Sequence, residues 1–324
     1  MLRQLYNTLP SRIRRHARGA FHLARGVTQD VPKQTDNAPL EAAAPPQSDQ
    51  ALIEMRRSDK TKPDSRVLSA FAENITSQFG EDGIIAKIFQ TLGERNRWCV
   101  EAGAWDGKYL SNTHALMSRG WSGVFIEGNP DKLPALRDTY DANPNAHILS
   151  AMIGSEPSDG LDRLLAATPI PAAFDLLSLD IDGLDYYVWR ALNRYRPQVV
   201  VIEFNPTVPN DVVFVQACDA RLNQGCSLLA LIELGREKGY ELVAVTDVNG
   251  IFVRREEFDA FGIEDNSIDA MHFDVQSARV FQGYDGTLFT ANLAALHWIG
   301  RRIGFEDIQV LPPHDRKYGD VPTA

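Results

Sequence analysis

The chain has 324 residues and a mass of 36.1 kDa, and 44% of its residues are hydrophobic and 23% charged, the composition of a folded globular protein. This length suggests two domains, or one large domain with extensions. No stretch reaches the ~20 apolar residues that span a bilayer. The cysteines are too few for a disulfide framework or a cysteine-rich zinc site, so a cytoplasmic location is expected (Cys99, Cys218 and Cys226).

The formal net charge of −10 hides two regions of opposite sign. Residues 1–66 carry twelve Lys and Arg against seven Asp and Glu, a net +5, which leaves −15 on the rest of the chain. An acidic body repels a phosphate backbone. We therefore expect no nucleic-acid partner.

Residues 1–26 form a basic amphipathic segment, with arginines, no acidic residue, and apolar residues at helical spacing. Such a segment suits an anionic membrane surface. A solvated basic tail is an equally good interpretation, and an organelle transit peptide is a weaker one. Residues 27–66 are rich in Pro and Ala, which predicts a disordered linker. The predicted folded domain is 67–324, with a C-terminal extension from about residue 256.

Strands and helices alternate along this domain. The apolar patterns predict, in chain order, helix 75–92, strand 98–101, helix 111–119, strand 123–127, helix 131–140, strand 147–153, helix 161–167, strand 175–179, helix 188–195, strand 198–204 and helix 227–238. Strands 240–246 and 251–254 are predicted to form a hairpin that turns at Asn249-Gly250. The pattern predicts a doubly wound, Rossmann-like α/β sheet of about seven strands, mostly parallel with an antiparallel last strand and helices on both faces.

Ligands of such sheets bind beyond the carboxyl ends of the strands, so the loops there are the candidate site. After the first strand, Gly103 permits a sharp turn, and the following helix offers free backbone N–H groups. After the second strand stands Glu127, roughly twenty residues further on, where an acid accepts hydrogen bonds from ribose hydroxyls. The two features together predict a nucleoside-containing cofactor.

The acids of the first loop favour S-adenosylmethionine over a dinucleotide. Dinucleotide sites use Gly-x-Gly-x-x-Gly to seat a pyrophosphate. Here the glycines are Gly103 and Gly107, and Glu101 and Asp106 stand among them. Carboxylates repel a pyrophosphate but suit a sulfonium and an amino group. The alternative is that these glycines serve only a tight turn.

Acidic residues also follow the fourth and fifth predicted strands. Asp180 and Asp182 follow the fourth, and Glu203 and Asn205 end the fifth. Oxygen ligands of this kind suit Mg²⁺, Mn²⁺ or Ca²⁺. The two aspartates share a face only if both are extended. The alternative is that these residues cap helices and hold loops without a metal.

Two histidines are candidate general bases, since their ordinary pKa is near ~6.5. His114 follows the glycine turn, and His272 lies in a late segment that could fold over the site. A structural role is the alternative for each. Trp105 and Tyr109 are candidates for the wall of an acceptor pocket or for ordinary packing.

Five short segments form a combined pattern: 77–83 (SQFGEDG), 100–107 (VEAGAWDG), 111–113 (SNT), 120–129 (GWSGVFIEGN) and 177–183 (LSLDIDG). Because it contains these segments, the chain resembles the FkbM-like group of class I S-adenosylmethionine-dependent methyltransferases. The resemblance runs from about Ser77 to Arg254. The resemblance implies that Glu101, Gly103 and Asp106 line the methionine part of the cofactor. It also implies that Glu127 binds the ribose, that Asp180 lies beside the transferred methyl group, and that the acceptor is a hydroxyl, often on a sugar or natural product.

Asp180 with the Glu203 to Asn205 segment is also similar to the metal site of catechol-type O-methyltransferases. In those enzymes the acid and the amide are adjacent, whereas Phe204 separates them here, and no lysine follows Asp180 by three positions.

The predicted function is therefore methyl transfer from S-adenosylmethionine to a hydroxyl of a glycan or small metabolite, with a divalent cation (Mg or Mn) as a candidate second cofactor. The predicted catalytic residues are Asp180, Asp182 and His272, and the predicted metal ligands are Asp180, Asp182, Glu203 and Asn205. The predicted cofactor-binding residues are Glu101, Gly103, Ala104, Asp106, Gly107, Asn112, Glu127, Gly128, Asn129, Met152, Ile153 and Asp180.

Two other functions stay open at this point. One is a metal-dependent glycosyltransferase in which Asp180-Ile181-Asp182 binds a metal and a nucleotide sugar, although the Glu101 to Gly107 turn argues against it. The other is a non-catalytic module that keeps the fold and binds a partner at a membrane surface through its basic N-terminus.

Overall fold

The computed structural model describes residues 66–273, 279–291, 294–296, 301–303, 309–312, 314 and 316. The predictions for residues 1–26 and for the linker up to residue 65 lie outside these ranges. The described residues belong to two compact units, divided between Asp274 and Val275. In this part of the chain no helix has the length and apolar character required to cross a membrane.

The first unit is built on a seven-stranded sheet with the order β3-β2-β1-β4-β5-β7-β6. Strand β7 runs antiparallel to both of its neighbours, β5 and β6, and the other adjacent pairs are parallel. The predicted fold class is thereby confirmed. The strands are Trp98–Ala102 (β1), Ser122–Glu127 (β2), Ala146–Ser150 (β3), Leu176–Leu179 (β4), Val199–Glu203 (β5), Tyr240–Val245 (β6) and Asn249–Arg254 (β7).

The strand order reverses between β1 and β4, which lie side by side in the centre of the sheet. A reversal of this kind opens a crevice at the carboxyl ends of the two strands, because their crossover connections lead away in opposite directions. The loops that follow β1 and β4 are therefore the walls of the candidate site.

Helices surround the sheet, and strands β4, β5 and β7 contain only buried residues. The helices are Glu81–Leu92 (α1), His114–Met117 (α2), Leu133–Tyr140 (α3), Leu161–Leu165 (α4), Asp185–Ala191 (α5), Leu228–Glu237 (α6) and Ile268–Met271 (α7), with 3-10 helices at Val67–Phe71 and Arg255–Phe261.

Three predicted helices differ clearly from the observed ones. The helix predicted for 75–92 begins only at Glu81, because the Asp82 carboxylate accepts the backbone N–H groups of residues 75–77 and holds them in a loop. The helix predicted for 111–119 shortens to α2, because Ser111 and Thr113 turn their hydroxyls to Glu101 and hold the preceding residues in a loop. The helix predicted for 188–195 begins earlier, at Asp185, whose carboxylate accepts the backbone N–H groups of Ile181 and Gly183. Hydrogen bonds of side chains thus set these boundaries.

The predicted turn at Asn249-Gly250 is wrong, because both residues are paired inside strand β7. Asn249 is the register partner of Glu203 in β5, and the chain instead reverses between Thr246 and Asn249, whose backbones are joined by a 2.9 Å hydrogen bond. The Asn249 side-chain amide donates to the buried carboxylate of Glu81 at 2.9 Å. This tertiary contact favours the strand over the local turn preference of the dipeptide.

The described residues of the second unit include two small antiparallel pairs. Strands Arg279–Gln282 (β8) and Leu288–Ala291 (β9) form a hairpin, and strands Ala294–Leu296 (β10) and Arg301–Ile303 (β11) form the other pair. The hairpin turn contains Gly286 with φ +83°. Phe281 and Phe289, which are register partners in the hairpin, stack with ring centroids 5.4 Å apart.

Candidate functional site

The loop after β1 touches the end of β4 through Gly103. This glycine has φ +83°, and a Cβ at its position would lie 1.9 Å from the backbone oxygen of Asp180. Only glycine fits both the left-handed conformation and the close approach. The structure therefore brings together Gly103 and Asp180, two predicted site residues, at the reversal point of the sheet.

Glu101 is buried and holds the next segment of that loop. Its carboxylate accepts hydrogen bonds from Ser111 Oγ at 2.6 Å, Thr113 Oγ1 at 2.8 Å and the backbone nitrogen of Asn112 at 3.1 Å. The Asn112 side chain donates to Ser178 Oγ in β4 at 3.1 Å. These contacts are structural, and cofactor binding by Glu101 and Asn112 stays a prediction.

Asp106 and Gly107 shape the tip of the same loop. The Asp106 carboxylate accepts the backbone N–H groups of Lys108 and Tyr109 at 2.9 and 2.8 Å. Gly107 has φ +74°, and a Cβ there would lie 2.4 Å from the ring of Tyr140. Ala104, which is buried, donates its N–H to the carbonyl oxygen of Ile126 in β2, as Gly103 does (3.0 and 2.9 Å).

Glu127 joins the loops that follow β1 and β2. Its Oε2 accepts the backbone N–H of Trp105 at 2.7 Å, and its Oε1 accepts that of Asn129 at 2.6 Å. Trp105 has φ +50°, a conformation that residues other than glycine rarely adopt. Each carboxylate oxygen has a further lone pair, so both can accept a hydroxyl as well. The sequence shows the acid but not its bond to Trp105.

Gly128, Met152 and Ile153 lie beside Glu127 in different ways. A Cβ at Gly128 would lie 2.3 Å from Met152 Sδ, so the methionine covers this glycine. Met152 is 70% exposed, whereas Ile153 is buried. Asn129 accepts the backbone N–H of Asp131 through its side-chain oxygen at 3.0 Å. Of these predicted residues, Met152 is the one with an exposed apolar surface.

Three carboxylates meet beyond the ends of β4 and β5. Asp180, Asp182 and Glu203 each offer an oxygen, and these oxygens lie within 4.8 Å of one another. Asp182 has φ +64°, so the condition that both aspartates be extended is not met, and a left-handed turn brings them together instead. A set of carboxylate oxygens fits a hard divalent cation. The residues present therefore fit the predicted metal.

Asp185 supports this cluster, although the sequence analysis assigned it no role. Its buried carboxylate accepts the backbone N–H groups of Ile181 and Gly183, both at 2.9 Å, and so fixes the turn that holds Asp182. Burial, together with the charge of Asp180, raises the pKa of Asp185 to about 7. The sequence signal that could have identified Asp185 is an aspartate that follows a glycine turn and begins a helix.

Asn205, the fourth predicted metal ligand, is engaged in its own loop. Its side-chain oxygen accepts hydrogen bonds from Thr207 Oγ1 at 2.6 Å and from the Thr207 backbone at 3.0 Å. Its amide donates to the carbonyl oxygen of Gln224 at 2.8 Å. These contacts fold the 205–226 segment back on itself, and metal binding by Asn205 stays a prediction.

The two candidate histidines have different surroundings. His114 Nδ1 lies 3.0 Å from the hydroxyl of Tyr140, and burial, helped by the charge of Lys108, lowers the pKa of His114. His272 Nδ1 lies 2.8 Å from Asn210 Oδ1, and its ring stands edge-on to Phe204, the residue after Glu203. His272 is therefore placed at the carboxyl end of β5.

Residues 75–83, which include the 77–83 pattern, contact the loop after β1. Asp82 Oδ2 accepts the backbone N–H groups of Ile75, Thr76 and Ser77 at 2.7 to 2.8 Å. Thr76 Oγ1 in turn donates to the carbonyl oxygen of Ser111 at 3.0 Å. This part of the pattern thus folds against the loop after β1, a contact that the sequence did not predict.

No protein-family model matches the chain, and no curated protein does. Among solved structures, the chain is similar to monomeric WbdD, a bifunctional kinase-methyltransferase (20% identity over 53% of this chain, TM-score 0.34), and the match spans 39% of WbdD. It is also similar to the N-terminal domain of EvdMO1 with bound S-adenosylhomocysteine (12% identity, 54% of this chain and 80% of that chain, TM-score 0.34).

A third similar structure is the precorrin-6y C5,15-methyltransferase of Geobacter metallireducens (16% identity, 56% of this chain and 90% of that chain, TM-score 0.34). Identities and TM-scores this low support no conclusion about the activity of this chain. The fold assignment rests on the strand order described above.

Proposed function

We propose that the chain is an S-adenosylmethionine-dependent methyltransferase that transfers a methyl group to the hydroxyl oxygen of a glycan or small metabolite. The observation that supports this most is the position of Glu127. Its carboxylate ends β2, accepts the N–H groups of Trp105 and Asn129, and has a lone pair on each oxygen for a ribose diol.

The charge of the neighbouring loops fits the same cofactor. Asp180, Asp182 and Glu203 lie beyond β4 and β5, close to the Gly103 turn, and attract a sulfonium rather than a pyrophosphate. S-adenosylmethionine supplies an already activated methyl group when bound. The protein would then mainly position the acceptor oxygen in line with that group.

The acidic cluster has a second proposed task. Asp180, Asp182 and Glu203 would hold a divalent cation, Mg²⁺ or Mn²⁺, whose chemistry is to lower the pKa of a bound hydroxyl. The carboxylates of the cluster and His272 are the candidate groups to accept the proton of the acceptor. The acidic balance of the chain beyond residue 66 favours an uncharged or cationic acceptor over nucleic acid. Membrane contact through residues 1–26 is a further part of the proposal.

A ligand screen by thermal unfolding tests the function. S-adenosylhomocysteine, UDP-glucose, GDP-mannose, MgCl₂ and MnCl₂ are each added to the full chain. A ligand at one hundred times its Kd stabilises the folded state by ~2.7 kcal/mol, a readily measured shift. We expect S-adenosylhomocysteine to raise the melting temperature. Stabilisation by a nucleotide sugar with no response to S-adenosylhomocysteine would instead favour the glycosyltransferase.

A turnover assay separates the enzyme from a non-catalytic module. Radiolabelled S-adenosylmethionine is incubated with a mixture of methyl glycosides, and label in the glycoside fraction is counted. We expect transfer that depends on the protein. Cofactor binding without transfer to any of the glycosides would favour the binding module.

A further inference from the structure

Asn210 links two segments that are distant in the chain. Its side-chain nitrogen donates to Asp269 Oδ1 at 3.2 Å and to the carbonyl oxygen of His272 at 3.0 Å, and its side-chain oxygen lies 2.8 Å from His272 Nδ1. Asn210 itself is buried. The loop after β5 is thereby joined to helix α7 and to the residue that follows it.

These contacts determine which way the amide of Asn210 points. A carboxylate and a carbonyl oxygen both face one end of the amide, and neither can donate a hydrogen bond. That end must be the NH₂ group, so the carbonyl oxygen of the amide faces His272. An amide oxygen only accepts, and therefore Nδ1 of His272 must carry a hydrogen.

We propose that Asn210 is a positioning residue that holds His272 as the neutral Nδ1–H tautomer, so that Nε2 is its proton-accepting atom. The inference deepens the proposed function and rests on it for its catalytic meaning. His272 packs its ring edge-on against Phe204, the residue after Glu203, which places the imidazole at the carboxyl end of β5. An imidazole there is a better base near neutral pH than an ordinary carboxylate, because its pKa is closer to that pH.

One proton and one methyl group are transferred in the proposed step. The proton of the acceptor hydroxyl moves to Nε2 of His272 while the acceptor oxygen bonds to the methyl carbon. The methyl–sulfur bond breaks, and its electron pair stays on sulfur. The products are a methyl ether, S-adenosylhomocysteine and a His272 imidazolium, which then releases its proton to water. Asn210 keeps its hydrogen bond to Nδ1–H throughout.

The tautomer can be measured without any cofactor or acceptor. The full chain is labelled with ¹⁵N-histidine, and long-range ¹H–¹⁵N correlation spectra are recorded. The spectrum of His272→Gln identifies the signals of His272 by their absence. We expect the wild-type signals to show a protonated Nδ1 and an unprotonated Nε2. A protonated Nε2 with an unprotonated Nδ1 would overturn the proposal, whatever the protein does with S-adenosylmethionine.

Two variants test the part played by Asn210. In Asn210→Ala we expect a mixture of both tautomers, and an unchanged Nδ1–H tautomer would contradict the proposal. Asp269→Asn is the matched control, because an amide oxygen at that position still accepts from Asn210, and we expect it to keep the tautomer. If Asn210→Ala does not fold, the wild-type spectrum still decides the tautomer.

The methyl glycoside assay tests the catalytic meaning. We expect His272→Gln to lower kcat by about 10²- to 10⁴-fold, the usual loss with a general base. Asn210→Ala should lower kcat by about 10- to 100-fold, the usual loss when the hydrogen-bond partner of the other ring nitrogen of a functional histidine is removed. The KM for S-adenosylmethionine should change little. Normal kcat in Asn210→Ala would refute a positioning role. If the wild type methylates nothing, the proposed function fails, and the spectra still decide the tautomer.

Discussion

The carboxylate of Glu127, at the end of β2, accepts a 2.7 Å hydrogen bond from the backbone nitrogen of Trp105, in the loop after β1. One acid therefore holds a residue with positive φ in place, and each of its carboxylate oxygens keeps a lone pair that can accept a further hydrogen bond. If Glu127 binds the ribose as proposed, cofactor affinity and loop conformation would depend on the same side chain.

The first prediction follows from that bond. Glu127→Ala should lower the affinity for S-adenosylhomocysteine by about 10- to 100-fold, since hydrogen bonds to a charged group contribute about 1.5–3 kcal/mol. Isothermal titration calorimetry measures the change. Glu233→Ala, which removes an exposed acid of helix α6, is the control and should bind normally. Equal affinities for wild type and Glu127→Ala would exclude Glu127 from the binding site.

Gly103 leads to a prediction about stability. A Cβ at this position is strained by the positive φ and meets the backbone oxygen of Asp180, so Gly103→Ala should lower the free energy of unfolding by about 2–5 kcal/mol, from left-handed strain together with overpacking. Urea denaturation measures the loss.

Gly120 offers a matched control for Gly103. It has φ +82°, but a Cβ there would meet no atom within 4 Å. Gly120→Ala should therefore cost only the conformational part, about 1–2 kcal/mol. If the two substitutions destabilise the protein equally, the close approach of the β1 loop to β4 is absent in solution.

The acidic cluster predicts a response to divalent cations. MgCl₂ or MnCl₂ should raise the melting temperature of the wild type, because a cation relieves the repulsion among Asp180, Asp182 and Glu203. Asp182→Asn should weaken this response and should raise the melting temperature measured in EDTA, since one like charge is gone. A wild type that responds to neither ion would contradict the metal assignment, and an unaltered response in Asp182→Asn would place the ion elsewhere.

The raised pKa of Asp185 predicts how the free energy of unfolding changes with pH in the presence of EDTA. Burial and the charge of Asp180 raise the pKa of Asp185 from its ordinary value of 3.8 to about 7 in the folded protein. Between these two values the folded state binds more protons than the unfolded state, so this group makes stability fall as pH rises from about 4 to 7. Above pH 7 its contribution should stay constant.

Urea denaturation at several pH values compares the wild type with Asp185→Asn, which cannot ionise. We expect the fall of stability between these pH values to be smaller in the variant. The variant also loses one of the two acceptor oxygens that hold Ile181 and Gly183, so its overall stability should be lower at acidic pH. Identical slopes for both proteins would show that Asp185 does not titrate in this range.

Local sequence pattern predicted the strands better than the ends of the helices. A strand covered on both faces needs a continuous run of apolar residues. Such a run can be recognised in the sequence without knowing the position of the strand in the sheet. Helix α2 is shorter than its pattern because Glu101, in another element, binds Ser111 and Thr113. Asn249 is in a strand because Glu81 binds its side chain. In both cases a partner distant in the chain outweighed a local preference.

The amino-acid sequence by itself determined the class of fold and which kinds of side chain stand at the ends of β1, β2, β4 and β5, because hydrophobic periodicity and the alternation of strands with helices are local properties of the chain. Only the tertiary structure decided which of these side chains meet. Gly103 contacts Asp180, Glu127 holds Trp105, and Asn210 orients His272. Each contact joins residues of separate elements, so it depends on the tertiary arrangement of those elements and not on a local pattern.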